Sequence, residues 1–115
     1  MAIAIKRVYD EPADDDGLRV LVDRLWPRGV SKERAAIAAW PKEVAPTTEL
    51  RQWFHSGGHG FEQFAARYRD ELDAGEAGAE LASSLAGHDR ITFVTTAPET
   101  ERSNASVLRD WLEAR

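Results

Sequence analysis

The stretch Leu18–Gly29, "LRVLVDRLWPRG", decides the fold. Val20, Leu21 and Val22 are apolar in succession, the pattern of a strand buried on both faces, so the run reads as the central strand of a parallel sheet. Pro27 and Gly29 then punctuate the chain and end it. Between and just beyond them stand Asp23, Arg24, Trp26, Arg28 and Lys32. A buried run that stops in cations, an aromatic and two turn residues has two explanations: an anion-binding site or an ion-paired corner.

Working outward, "IAIKRVY" at 3–9 alternates, with Ile3, Ile5, Arg7 and Tyr9 on one side, and predicts a strand. The acidic "DEPADDDG" at 10–17 reads as a solvated loop, with a metal loop as the lesser alternative. This loop is short for a parallel crossover, which leaves the direction of the first strand open. Downstream, Ser31 is a plausible N-cap for a short helix that passes into a short strand ending near Trp40. Thr47 or Thr48 caps a second helix with Leu50, Trp53 and Phe54 inward. "SGGHG" at 56–60 is a loop. It precedes the clearest helix, where Phe61, Phe64, Ala65, Tyr68 and Leu72 form one apolar stripe.

A weaker Ala-rich helix follows, with Leu81 and Leu85 inward. "RITFVTT" at 90–96 predicts a last strand, and the C-terminal segment a last helix burying Val107, Leu108, Trp111 and Leu112. Strands alternating with helices predict an α/β fold: a three-layer sandwich with a mostly parallel sheet of about four strands flanked by helices.

At 115 residues the chain has the size of one domain, taken as 1–115. No apolar run approaches the ~18 residues of a membrane span, and the N-terminus turns charged too early for a signal peptide. With no cysteine there is no disulfide, thiolate or Cys-type zinc site, as suits a cytoplasmic protein. The net charge of −5 hides an asymmetry. Leu18–His55 carries seven Lys/Arg against four Asp/Glu and three of the four tryptophans (Trp26, Trp40, Trp53), whereas acids outnumber bases from Ser56 onward. A local basic region in an acidic chain points to a focused site for a small anion rather than to a nucleic-acid coat.

Ligands of open α/β sheets bind beyond the carboxyl ends of the strands. If the second and last strands are neighbours, Arg24, Arg28, Thr96 and Asn104 line one crevice there, with Arg7 and Lys32 assisting. Thr96 to Glu99 has the spacing of a capping box. Asn104 falls near the N-terminus of the final helix, where free N–H groups favour an anion. Arg51 and His55 are four residues apart on one helix and share a face. Asp23 could orient an arginine, or close a plain salt bridge with Arg24. For an enzymatic version, Asp23 and His55 are the candidates for moving a proton. Thr96 as a nucleophile needs an adjacent base that the sequence does not name. No metal motif, P-loop or dinucleotide fingerprint is present, so neither a metal nor a cofactor is expected.

The segments "KRVYD" at 6–10, "DGLRVLVDRLWPRGVSK" at 16–32, "WPKEVAPTTELRQWFH" at 40–55 and the C-terminal "WL" together resemble the YeaO-like branch of domain-of-unknown-function family 488. The resemblance covers nearly the whole chain. It implies an α/β sandwich of unknown biochemical function, and carries a site to Asp23, Arg24 and Arg28. Distant branches end the last strand in Cys-Ala followed by His and Arg, and YeaO-like chains in Ser-Ala-Lys with a later Asn-His pair. Here the positions read Thr96-Ala97-Pro98 and Ser103-Asn104, which keeps the hydroxyl and loses the cation and the histidine. Binding is therefore favoured over catalysis. The expectation is an α/β protein that binds a phosphate- or carboxylate-bearing small molecule through an arginine-lined crevice. The alternative is an accessory module that engages a protein or nucleic-acid partner through the basic, Trp-rich face.

Overall fold

A computed structural model of the protein describes residues 2–115. Three strands are present among these residues: β1 (Ala2–Arg7), β2 (Leu18–Leu21) and β3 (Arg90–Thr95), all parallel, in the order β1-β3-β2. The sheet is thus parallel and flanked by helices, with three strands rather than about four. The segment expected to form a short strand before Trp40 makes one bridge, Val20 to Ala39. It stops there because Pro41, which has no N–H, follows at once.

The central strand is β3, not β2. Apolar residues on both faces mark burial, and β2 is buried even at the edge because the Ala38–Ala39 backbone lies along it, with Leu21 N donating to Ala39 O at 2.9 Å. The first strand runs parallel to the others. Its connection to β2 passes across β3 without joining adjacent strands, which a short loop with a 3-10 turn at Asp14–Asp16 accomplishes.

The helices are α1 (Lys32–Ala35), α2 (Thr48–His55), α3 (Phe61–Ala74), α4 (Ala77–Leu85) and α5 (Asn104–Glu113). They cover the sheet unequally. Ile3, Val20, Ile91 and Phe93 belong to one large core with Leu50 of α2, Phe64, Tyr68 and Leu72 of α3, Leu81 and Leu85 of α4 and Leu108 of α5. A smaller cluster joins Val8 and Val94 to Ala35 of α1, with Trp26, Val30 and Ile37 packed on it.

Local chemistry sets the element boundaries. Ser31, Thr47 and Ser103 cap α1, α2 and α5, each side chain accepting a backbone N–H. The α5 cap is a reciprocal box between Ser103 and Ser106, so the expected box from Thr96 to Glu99 does not form. Tyr68 is fully buried and donates to Val44 O at 2.6 Å, tying α3 to the turn before α2. Burial pushes its phenol far above the ordinary value. Gly78 lets α4 meet α5: a Cβ there would sit 2.7 Å from the Trp111 ring.

The acidic loop is only partly solvated. Asp14 and Asp15 are exposed, but Asp16 is buried and pairs with Arg19 Nη1 at 2.7 Å and Lys6 Nζ at 3.1 Å. Arg19 also donates twice to Ala35 O, the last carbonyl of α1, at 2.8 and 3.1 Å. Burial alone would raise the Asp16 pKa, but the Ala13 N–H and the two cations outweigh it and hold the carboxyl below its ordinary value.

Candidate functional site

Beyond the carboxyl ends of β2 and β3 lies a crevice of about 820 Å³, bounded by the chain after each strand, by α2 and the start of α3, and by the first turn of α5. Asp23 organises it. Its carboxylate accepts from Thr95 Oγ1 (2.7 Å), Thr96 N (2.8 Å), Thr96 Oγ1 (2.9 Å) and Asn104 Nδ2 (3.0 Å). Asn104 donates as well to Val22 O at 3.1 Å, and Trp40 Nε1 to Asp23 O at 2.8 Å. One acid thus laces the ends of two neighbouring strands to the N-terminus of α5.

Asp23 does not orient an arginine, because hydroxyl and amide donors take its carboxylate. Nor does it pair with Arg24, whose guanidinium turns away and donates to Pro46 O and Ala45 O, each at 3.1 Å. Four donors occupy the lone-pair sites of a carboxylate, so a substrate proton would have to displace one of them. Asp23 does supply the acceptor beside Thr96 that the sequence does not name.

Arg24, Arg28, Thr96 and Asn104 line this one crevice, together with His55 and Arg51. Arg28 is exposed and Arg51 half-buried. Among the described residues neither has an ion-pair or hydrogen-bonding side-chain partner, whereas Arg102, also on the wall, lies 3.9 Å from Glu99 and over the Phe61 ring. The cations therefore exceed what the local acids neutralise, since Asp23 is occupied and Glu99 is shared with Arg102.

Arg7 and Lys32 are not on the crevice wall, although Arg7 holds two residues that are. Arg7 is opposite Thr95 in the sheet, and its Nε supports the following loop by donating to Ala97 O at 3.2 Å while its guanidinium covers Tyr9. Lys32 opens α1, which packs on the other face of the sheet, and it is exposed there.

His55 sits on the wall beside Phe54 and is exposed, with no carboxylate on either ring nitrogen among the described residues. His59 belongs to the crevice too, stacked at 3.8 Å on Trp53, whose ring also carries Arg67 at 4.2 Å. The tryptophans of the basic window are engaged within the chain. Trp26 meets Trp40 edge-on at 5.4 Å, and Trp26 Nε1 donates to Val30 O at 2.8 Å. Among the described residues, no three His, Cys, Asp or Glu side chains converge to hold a metal ion. No helix among them is long and apolar enough to cross a membrane.

Arg51, Arg102, Phe54 and Phe61 join the crevice wall beyond the site residues expected from the sequence. Arg51 had a signal, since its spacing from His55 places both on the same face of α2. Phe54 and Phe61 read as core from their helical spacing, and they are partly that: both pack on the main core while also reaching the crevice.

The fold and site define a small parallel α/β protein with an arginine-rich crevice at the carboxyl edge of its sheet. The family model described as the inactive DUF488-N3 subclade matches residues 2–115. The chain is 40% identical over 114 residues to the uncharacterized protein YeaO of Escherichia coli K12, covering 99% of each. It is 43% identical over 113 residues to the uncharacterized protein Rv3073c of Mycobacterium tuberculosis H37Rv, covering 98% of this chain and 95% of the relative. No solved structure matches. The chain belongs to the DUF488 family, as a YeaO-like member.

Proposed function

We propose that the protein binds a small organic molecule bearing a phosphate or carboxylate in the crevice at the strand ends, and that it does so without turnover. The observation that carries this reading is the pair Arg28 and Arg51, which line one crevice and have no anionic partner there. A guanidinium fork holds phosphate or carboxylate through paired, charge-assisted bonds. Two further features support the same reading. Arg24 is fixed by two carbonyls, which orient its guanidinium without neutralising it. The first turn of α5, a ten-residue helix, faces the crevice through Ser103 and Asn104 and adds the partial positive charge of a helix N-terminus.

Two features of the acid–base inventory support binding without chemistry, although Asp23 does accept from the Thr96 hydroxyl. Asp23 is saturated by four donors, and His55 lacks the orienting partner that a working general base normally has. The description of the matching subclade as inactive agrees with this.

Thermal unfolding tests the reading. Wild type and Arg28→Ala are melted with and without a panel of phosphate monoesters and carboxylates. A ligand at one hundred times its Kd adds about 2.7 kcal/mol, which moves the midpoint of a domain this size by several degrees. Arg28→Ala should melt with wild type in plain buffer and lose most of the shift. A wild type that no anion moves defeats the proposal, as does an Arg28→Ala variant that shifts as far as wild type.

A further inference from the structure

An anionic group accounts for only part of this crevice. Its volume of about 820 Å³ falls in the ~300–1,000 Å³ range of sites for organic ligands and far exceeds the needs of an inorganic anion. Its lining is also mixed. Thr96, Asn104, Arg24 and Arg28 line it from the chain beyond the strands and from α5, whereas Phe54, Phe61 and Phe64 line it from α2 and α3, with Arg51 of α2 and Arg102, over the Phe61 ring, beside them. Phe54 stacks on Phe64 at 4.6 Å, and Phe61 lies 6.0 Å from Phe64.

Exposed apolar side chains line the crevice as well. Among the described residues the exposed large hydrophobics are Tyr9 and Leu25, 46% and 62% exposed, and both line this crevice. Single exposed apolar side chains are ordinary on a protein surface. Two that line the same cavity as three phenylalanines add apolar surface that a ligand would cover.

We infer that the ligand is an aromatic anion, with its ring against Phe54 and Phe61, its charged group among the arginines, and Tyr9 and Leu25 closing over the outer edge. This inference rests on the anion reading above and adds the class of the ligand's body. Offset and edge-on ring contacts favour an aromatic body over an aliphatic chain of equal area.

Isothermal titration with matched probes separates the two claims. Phenyl phosphate is compared with methyl phosphate, benzoate with acetate, and phenol serves as a ring without the anion. In at least one pair the aromatic member should bind about tenfold tighter or more, from burial of the ring, and phenol should bind weakly. Leu25→Ser, at an exposed position where folding is not at risk, should narrow that ratio while leaving the small anion's affinity unchanged, and Phe61→Leu should narrow it too. Equal affinity within both pairs overturns the aromatic class and leaves the anion site standing. So does a preference that neither variant reduces. No binding by any of the anions, or phenol matching phenyl phosphate, overturns the anion reading itself.

Discussion

The arginine within β2 and the arginines beyond its end are treated in opposite ways. Arg19 is 5% exposed and fully engaged, with Asp16 on one nitrogen and the last carbonyl of α1 on the other two. Arg28 and Arg51 reach a crevice where the nearest acids are already taken. The same side chain thus serves as a structural rivet in one place and as an uncompensated charge in the other, and local partners decide which. A buried cation survives only when paired and hydrogen-bonded. One left unpaired at the edge of a cavity gains no ion pair from the fold, and its guanidinium stays open to an anion from outside.

The largest effect should come from the rivet. Arg19→Ala leaves the Asp16 carboxylate buried with only Lys6 as counter-ion and frees the Ala35 carbonyl from both its donors. Removing one partner of a buried pair costs about 3–5 kcal/mol, read as a drop in the urea midpoint at constant m-value. A loss under about 1 kcal/mol would place Arg19 with surface ion pairs and dissolve the contrast.

Next in size is Asp23→Ala, which strips acceptors from two threonine hydroxyls, the Thr96 N–H and the Asn104 amide. Thr95 is buried, so at least one donor is left without water, at about 1–3 kcal/mol. Asp23→Asn keeps part of the network and should cost less. Stability unchanged in both variants would mean that Asp23 is free for chemistry after all.

Acid should weaken the rivet and spare the crevice. The native Asp16 pKa lies below its ordinary value, so its contribution is complete above the ordinary carboxylate range, near pH ~4, and is lost as pH falls through the lowered native value. The stability of wild type should therefore fall more steeply below pH ~4 than that of Asp16→Asn, measured by urea unfolding at a series of pH values. Parallel slopes would show that the carboxyl is no more acidic in the native state than in the unfolded one.

How far each arginine could be read from the sequence follows the same division. A cation inside "LRVLV" signals a buried pair, and Asp16 stands three residues earlier, yet alternation alone does not say that the acidic loop folds back over the strand. Helix α3 and strand β2 follow from their apolar patterns because burial selects those patterns directly. That β3 is central does not, because an edge strand covered by a passing segment looks the same in one dimension. Arg28 could be picked out by its turn, between Pro27 and Gly29. Arg7 and Lys32 look equivalent to it by charge, but the sheet register sends the first beneath a loop and α1 carries the second to the opposite face. The aromatic wall was concealed by its double duty, since a phenylalanine that serves both core and crevice keeps the helical spacing of a core residue.

The smallest expected effect is the most discriminating. Arg51→Ala replaces a half-buried arginine in α2 with the best helix former, and it breaks no hydrogen bond or ion pair seen among the described residues. Stability in buffer should stay within about 0.5 kcal/mol of wild type. Two opposed contributions meet there: loss of the packed alkyl stem destabilises, while relief of repulsion from Arg24 and Arg28 stabilises. Only the second is screened by salt. Arg51→Ala should thus compare best with wild type at low ionic strength and lose ground as salt is added. For Arg19→Ala, the deficit should hardly respond, because its lost pair is buried. If the two variants show the same salt dependence, the arginines of the crevice are held by the fold as Arg19 is, and no ligand is needed to explain them.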